Sequence, residues 1–294
     1  MRVGFIGCVG TSMCSLEILV GLNVDVRAVI TREMSPFNAD HVNLKPFCDK
    51  HGLPCRYADS TTQDDALAFL RQSKIDYLFC IGWSSLLSAE VLAIPTKGVI
   101  GFHPAPLPQG RGRHPIIWAL VLGLNRTASS FFFMDEGADS GDIISQYPIL
   151  IDNKDDATSL YKKISETMQM QLREFIPKIS SGTCVATPQD HSKASYWRKR
   201  TKEDGRIDFR MDAETIHNLV RALSPPYSGA QIVFGGREYI VWKTMPASCD
   251  DVLAEPGKVL DVTDGQITVK CGNNAIVLCK HEIDMLPHTG DYLL

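Results

Sequence analysis

The chain opens with MRVGFIGCVGTSMCSLEILVGL, residues 1–22, and this stretch decides the fold class. Residues 2–6 are apolar and rich in β-favouring Val, Phe and Ile, Gly7 and Gly10 interrupt them, and residues 12–22 then repeat apolar side chains at helical spacing. A strand that feeds a helix through a glycine turn is the first half of a βαβ unit. Ser12 is the expected helix N-cap and Gly21 stands near the expected end. Glycines at 4, 7 and 10 are spaced G-x-x-G-x-x-G. That is not the G-x-G-x-x-G spacing that admits a pyrophosphate, so the turn reads as backbone geometry and not as a dinucleotide site.

Outward from this unit, strand patterns recur at residues 24–31, 77–81, 99–102 and 129–134 with helical stretches between them. Such alternation predicts an α/β domain with a largely parallel, doubly wound sheet. A long helix fits residues 157–179, where Leu160, Ile164, Met168, Leu172, Phe175 and Ile176 recur at three- and four-residue spacing, with Asp155 or Asp156 as cap and Gly182 beyond its end. Residues 187–205 are polar and charged and read as a linker. Beyond them come a helix pattern at 213–223 and five short alternating segments, at 230–234, 239–243, 258–262, 266–270 and 275–280, separated by glycine-containing turns. The expected organisation is therefore a larger domain over 1–200, with the linker at its end, and a small β-rich domain over 201–294.

The 294 residues are 44% hydrophobic, enough for an ordinary core, which excludes disorder as the main state. Thirty Lys and Arg against 34 Asp and Glu give a formal net charge of −4, with no global drive toward nucleic acid or an anionic membrane. Residues 201–294 hold 9 Lys and Arg against 14 Asp and Glu, net −5, which leaves +1 for residues 1–200. No apolar run approaches the ~18–20 residues of a membrane span and the first residues carry no leader signature, so a cytoplasmic location is expected. The nine cysteines show no C-x-x-C pair and no repeated spacing. Neither a zinc site nor a disulfide framework is supported, and no metal is expected.

The densest chemistry lies in residues 98–115, GVIGFHPAPLPQGRGRHP, and in 134–142, MDEGADSGD. A strand ends at His103, and prolines at 104, 106 and 108 forbid helix and stiffen the loop at its carboxyl end, where α/β sheets place ligands. An imidazole there is a candidate acid or base, although a lone His is more often structural. The acidic glycine loop after the Phe-rich strand sets Asp135, Glu136 and Asp139 at another strand end. A carboxylate that fixes an imidazole tautomer or stabilises its charged form makes a proton-handling pair.

These residues resemble the formyltransferase family that uses N10-formyltetrahydrofolate, which includes glycinamide ribonucleotide formyltransferase, methionyl-tRNA formyltransferase and the sugar N-formyltransferases. His103 matches the His of the family's Asn-x-His, Leu107-Pro108 and Arg111-Gly112 match its loop, and Asp139-Ser140-Gly141 matches its aspartate turn. The resemblance spans nearly the whole chain and implies a Rossmann-like domain with a mostly parallel sheet, followed by a small β-rich, OB-like domain. It implies His103 and Asp139 as the catalytic pair. The family's Asn position is Gly101, which has no amide to polarise a carbonyl, a loss worth ~3 kcal/mol in comparable sites. A backbone N–H, a water or His114 is the expected substitute donor. By the same resemblance N10-formyltetrahydrofolate is the co-substrate, its pterin held by Ser84, Ser85, Leu86, Leu87, Val99 and the loop Met134, Asp135, Glu136 and Gly137.

The formyl acceptor is read from the remaining differences. The carboxy-terminal β domain argues against glycinamide ribonucleotide. The stretch 31–41, TREMSPFNADH, is neither long nor basic, and with the net −5 of residues 201–294 this counts against tRNA. Residues 196–205, YWRKRTKEDG, resemble the Tyr-Trp-x-Lys-Arg-x-x-Glu-Asp-Gly signature of sugar N-formyltransferases. Trp197 is able to stack, and Arg198, Lys199 and Arg200 to meet a diphosphate. Tyr227 either stacks on a nucleobase or seals packing. The expected acceptor-binding set is Gly101, Arg111, His114, Trp197, Arg198, Lys199, Arg200 and Tyr227. The expected reaction is formyl transfer to a nucleotide-linked amino sugar, with UDP or dTDP favoured, in surface-glycan biosynthesis. Methionyl-tRNA formylation, formylfolate hydrolysis and non-catalytic folate or nucleotide binding are the rivals. Neither nucleic acid nor membrane is an expected partner, whereas a second copy of the chain is, through the β domain.

Overall fold

Alternating faces of apolar strands build the first sheet. The structure, a computed structural model, describes residues 1–35 and 38–294; Pro36 and Phe37, inside the 31–41 stretch read above, lie outside the described residues. In chain order the sheet uses β1 (Arg2–Ile6), β2 (Asp25–Thr31), β3 (Cys55–Tyr57), β4 (Tyr77–Cys80), β5 (Gly98–His103), β7 (Arg126–Phe133) and β8 (Ile143–Leu150), while β6 (Arg111–Gly112) lies outside it. The strands are arranged β3-β2-β1-β4-β5-β7-β8. Pairings through β5 are parallel, and β7 joins β5 antiparallel. The mostly parallel α/β sheet expected from the sequence is present.

Both faces are covered, as a parallel sheet requires. Val3, Phe5, Val29, Phe79 and Ile100 point into one cluster, with Leu16 and Leu19 of α1 (Gly10–Gly21) and Met168, Leu172, Phe175 and Ile176 of the long helix Ala157–Ser181. Their neighbours Ile6, Ala28, Ile30, Leu78, Cys80 and Val99 point into the other, with Leu67 and Leu70 of helix Asp64–Gln72. The strand order reverses direction between β1 and β4, and at such a switch the carboxyl ends of the strands border a crevice.

Local details differ from expectation. Helix α1 begins at Gly10 with Val9 at its N-cap. Ser12 lies inside the helix, where its hydroxyl accepts from Val9 N (3.1 Å) and donates to Ile81 O (2.6 Å), stitching β1 to β4. The long helix extends to Ser181; Asp156 caps it by accepting from Ser159 N (2.9 Å), and Ser159 Oγ accepts from Asp156 N (3.0 Å). Residues 187–205 are not a loose linker. They contain β9 (Tyr196–Trp197), paired in parallel with β6, and a 3₁₀ turn, Lys202–Gly205, capped by Thr201 and Asp204.

The chain forms two compact units. The first takes Met1–Pro115, Thr127–Ile149 and Lys162–Trp197, the second Ile116–Arg126, Leu150–Tyr161 and Arg198–Leu294. The second unit is built on an antiparallel sheet of β10 (Ala230–Phe234), β11 (Arg237–Ala247), β12 (Val259–Thr263), β13 (Gln266–Lys270) and β14 (Ala275–His281), in the order β10-β11-β14-β13-β12. Helix Ala213–Ala222, capped by Asp212, buries Ile216, Leu219 and Val220 and lies against β11. Among the described residues no helix is long and apolar enough to cross a membrane, and no cluster of His, Cys, Asp and Glu could hold a metal ion.

Candidate active site

His103 is the last residue of β5 and is 5% exposed. Its Nε2 lies 2.7 Å from Gly110 O. A carbonyl only accepts, so Nε2 carries a proton and the ring turns Nδ1 toward the acidic loop. That Nδ1 lies 3.6 Å from Asp139 Oδ2. The same carboxylate oxygen accepts from Gly112 N at 2.8 Å, which holds the charge in place beside the ring. Sequence reasoning paired these two residues, and the fold brings them together although they are 36 positions apart.

The loop 108–113 is held from behind by β9. Gly110 N donates to Ser195 Oγ (2.9 Å), Arg111 N to Ser195 O (2.9 Å) and Arg113 N to Trp197 O (3.0 Å). Gly112, at φ +103°, is required: a Cβ there would lie 2.4 Å from Trp197 O. Trp197 does not stand free to stack on a base with its whole ring. Its six-membered edge covers Gly110, where a Cβ would meet Cζ3 at 2.6 Å.

Arg111 is a correction. Expected to touch the acceptor, it is 1% exposed. Its guanidinium donates to Gln189 Oε1 through Nη2 (2.7 Å) and Nε (3.2 Å) and to Tyr196 Oη through Nη1 (2.9 Å), with His191 Nδ1 at 3.2 Å from Nη2. Gln189 in turn donates to Asp139 O (2.9 Å) and Gly141 O (2.6 Å). Arg111 is thus a positioning residue for the aspartate turn, since its buried guanidinium turns four of its five N–H groups to these protein partners. Asp139 itself adopts φ +54°, and this chain of bonds holds it there. Gln189 and Tyr196 escaped sequence reasoning as support for the turn. Tyr196 carried a signal in its motif, and Gln189 carried none.

Gly101 shares the face of β5 with His103, two residues on, and pairs with Phe132 of β7. A Cβ at Gly101 would lie 2.8 Å from Met134 Cγ and 2.8 Å from Phe132 Cζ. The space of an absent side chain is filled by Met134, whose N donates to Val99 O at 2.8 Å. His114 adopts φ +57° next to this loop.

The residues expected around a pterin divide in two. Leu87 and Val99 are buried in the core on one face of the sheet, against which Met134 packs. Ser85, Leu86, Asp135, Glu136 and Gly137 are exposed, Leu86 at 70%. Ser84 Oγ accepts from Asn38 Nδ2 (2.9 Å), and its carbonyl accepts from Arg113. Asp135 closes its own turn, accepting from Gly137 N (3.0 Å) and Ser140 Oγ (2.6 Å). At the ends of β2 and β4 the buried Arg32 guanidinium lies 4.3 Å from the Trp83 ring centroid and donates to Asp59 O, a cation that sequence reasoning passed over. Burial pushes the thiols of Cys8 and Cys80 up, to about 11 and about 12, so neither is a nucleophile at neutral pH.

Arg198, Lys199, Arg200 and Tyr227 belong to the second unit. Arg198 forms a bidentate pair with Asp204, Lys199 is exposed, and Tyr227 sits in the turn after helix Ala213–Ala222. Arg200 is buried over Trp118, 4.9 Å from the ring centroid, and donates to Asp204 O. As a diphosphate contact it is corrected to a packing residue.

With this geometry in hand, comparisons with known proteins are specific. Residues 15–176 match the family model described as formyl transferase, and residues 199–285 match the one described as formyl transferase, C-terminal domain. Among solved structures, the fold is similar to WlaRD, a sugar 3N-formyl transferase solved with dTDP and 5-N-formyl-THF (TM-score 0.73, 16% identity, covering 97% of this chain and 99% of that one). It is similar to an N-formyltransferase from Helicobacter canadensis in complex with folinic acid and dTDP-3-aminofucose (0.73, 17%, 95% and 98%). It is also similar to methionyl-tRNA formyltransferase from Clostridium thermocellum (0.59, 16%, 92% and 97%).

Proposed function

This chain belongs to the formyl transferase family, and from that membership we propose that it moves a formyl group from N10-formyltetrahydrofolate to the amine of a nucleotide-linked amino sugar, with UDP or dTDP as the nucleotide. The observation that carries the reading is the His103 Nδ1 nitrogen, held 3.6 Å from Asp139 Oδ2 by the Nε2 bond to Gly110 O.

An amine that attacks a formyl carbon must lose a proton, and the folate nitrogen that leaves must gain one. His103 Nδ1 takes the first, and the imidazolium so formed is stabilised by the Asp139 carboxylate; the same proton then passes to the leaving nitrogen. Each step is a transfer at one ring nitrogen, and no net proton is consumed. The exposed Leu86, the adjacent Ser85 and the turn Asp135–Gly137 fit a flat, apolar and hydrogen-bonding ring system. Residues 1–200 carry this chemistry, and the β domain of residues 201–294 pairs with that of a second copy. The reaction supplies N-formylated sugars for surface glycans from the cytoplasm.

The test is mass spectrometry of reactions holding the protein, N10-formyltetrahydrofolate and UDP-, dTDP- and GDP-linked amino sugars, with methionyl-tRNA alongside. A formyl mass gain on one sugar is expected. Gain only on the tRNA would move the activity to that acceptor, and formate release with every acceptor unmodified would make the protein a hydrolase. Gly101, its space filled by Met134 and Phe132, favours one further reading, a folate binder without turnover; tight folate binding with no product of either kind would select it.

A further inference from the structure

The second unit contains a cavity of about 610 Å³ bordered by residues 153–156, helix Ala213–Ala222 and β11, a volume that accommodates a mononucleotide. Its charge runs against that of its surroundings. Lys154, Lys243, Lys280 and Arg221 line it against two carboxylates, Asp155 and Asp156, in a region of net −5. Both carboxylates are already engaged: Asp155 accepts from Asp152 N and Ser159 Oγ (each 2.7 Å), and Asp156 caps the long helix. Arg221 donates through Nε to Asn218 Oδ1 (2.8 Å) and through Nη1 to Asp155 O (2.8 Å) and Asp152 O (3.3 Å).

The three lysines are different. None has a carboxylate partner among the described residues. Lys243 and Lys280 are partners across β11 and β14 where the register of the pair shifts on both sides of Lys243, and both line the same cavity. Two ammonium groups that share one cavity repel each other, and an anion between them offsets that repulsion. The rest of the lining is apolar or uncharged. Trp242, Val220, Pro225 and Pro246 contribute flat and aliphatic surface, and burial pushes the His217 imidazole below its ordinary value, keeping it neutral.

We propose that this cavity is a second ligand site, for a nucleoside diphosphate, separate from the His103–Asp139 centre: Lys243 and Lys280 hold the phosphates and Trp242 faces the base. Two adjacent ammonium groups suit a diphosphate better than a single phosphate, and a cavity with an aromatic wall has room for the nucleoside.

The experiment is calorimetric titration of the full chain with UDP, dTDP and GDP, and separately with inorganic pyrophosphate, for the wild type and for Lys243→Ala/Lys280→Ala. Both lysines are exposed, so the variant keeps its fold, which circular dichroism checks. The variant is expected to bind one fewer nucleotide per chain, and each single substitution to weaken that site about tenfold. In parallel, saturating nucleotide is expected to protect Lys243 and Lys280 from acetylation, read by peptide mass spectrometry, while Lys162 on the long helix stays reactive. An unchanged site count in the double variant, or equal labelling of all these lysines, would overturn the site. Pyrophosphate binding there as tightly as any nucleotide would overturn its assignment to a nucleoside.

Discussion

Met134 occupies the volume that a side chain at Gly101 would need, with its Cγ 2.8 Å from the place of the missing Cβ. Gly101 is therefore not a simple deletion of a carbonyl-polarising amide. The position and its neighbour are matched, and an amide cannot be restored by one substitution.

Gly101→Asn is expected to destabilise the protein by about 1–3 kcal/mol through overpacking against Met134 and Phe132. Met134→Ala alone opens space and is also destabilising. The double variant is expected to be more stable than the sum of the single changes predicts, because each relieves the other. Thermal unfolding of all four proteins gives the coupling. Strictly additive values would mean that Met134 does not compete for that space.

His103→Ala and Asp139→Asn are each expected to lower turnover by about 10²–10⁴-fold with the fold intact. The two are distinguishable. Asp139→Asn keeps an oxygen for Gly112 N but loses the charge that stabilises the imidazolium, so KM is expected to stay near its original value while kcat falls. Near-normal kcat in either variant would remove the proton-transfer role.

The strands of the first sheet were legible because both faces are covered: Phe5 and Ile6, or Val99 and Ile100, point to opposite cores and read as continuous apolar runs. His103 and Asp139 were legible because each sits in a local motif at a strand end. The support of Asp139 was not. It comes from Gln189 and from the pairing of β6 with β9, two strands of two residues each, too short to leave any periodic signal. For the same reason Arg111 read as a ligand contact, since its bonds to Gln189 and Tyr196 are visible only in three dimensions. Met134 over Gly101 is likewise a packing fact, carried by no spacing rule.

Arg111→Ala is expected to cost about 3 kcal/mol of stability, because Gln189 and Tyr196 lose a buried donor. It is also expected to lower kcat more than it raises KM, since Gln189 then no longer holds the Asp139 turn in register. Arg111→Lys restores the charge but cannot reach both partners from one ammonium, so it should recover stability only in part. A variant that loses affinity for the acceptor while keeping kcat would return Arg111 to the substrate.

The buried thiols predict an alkaline limit. Cys80, on β4, is pushed up to about 12 and Cys8, after β1, to about 11, both from 9.0 and both chiefly by burial. In the unfolded chain these thiols lose their protons near pH 9, while in the folded chain they keep them. Above that pH the unfolded state binds fewer protons than the native one, so the stability contributed by the neutral thiols is full below pH 9 and declines as pH rises toward 12. Each unit of upward shift corresponds to at most about 1.4 kcal/mol. Unfolding midpoints followed from about pH 7 to about pH 11 are expected to fall more steeply for the wild type than for Cys80→Ala once pH 9 is passed, with parallel curves below it. Curves that stay parallel throughout would show that the Cys80 thiol ionises as readily in the folded protein as in the unfolded chain.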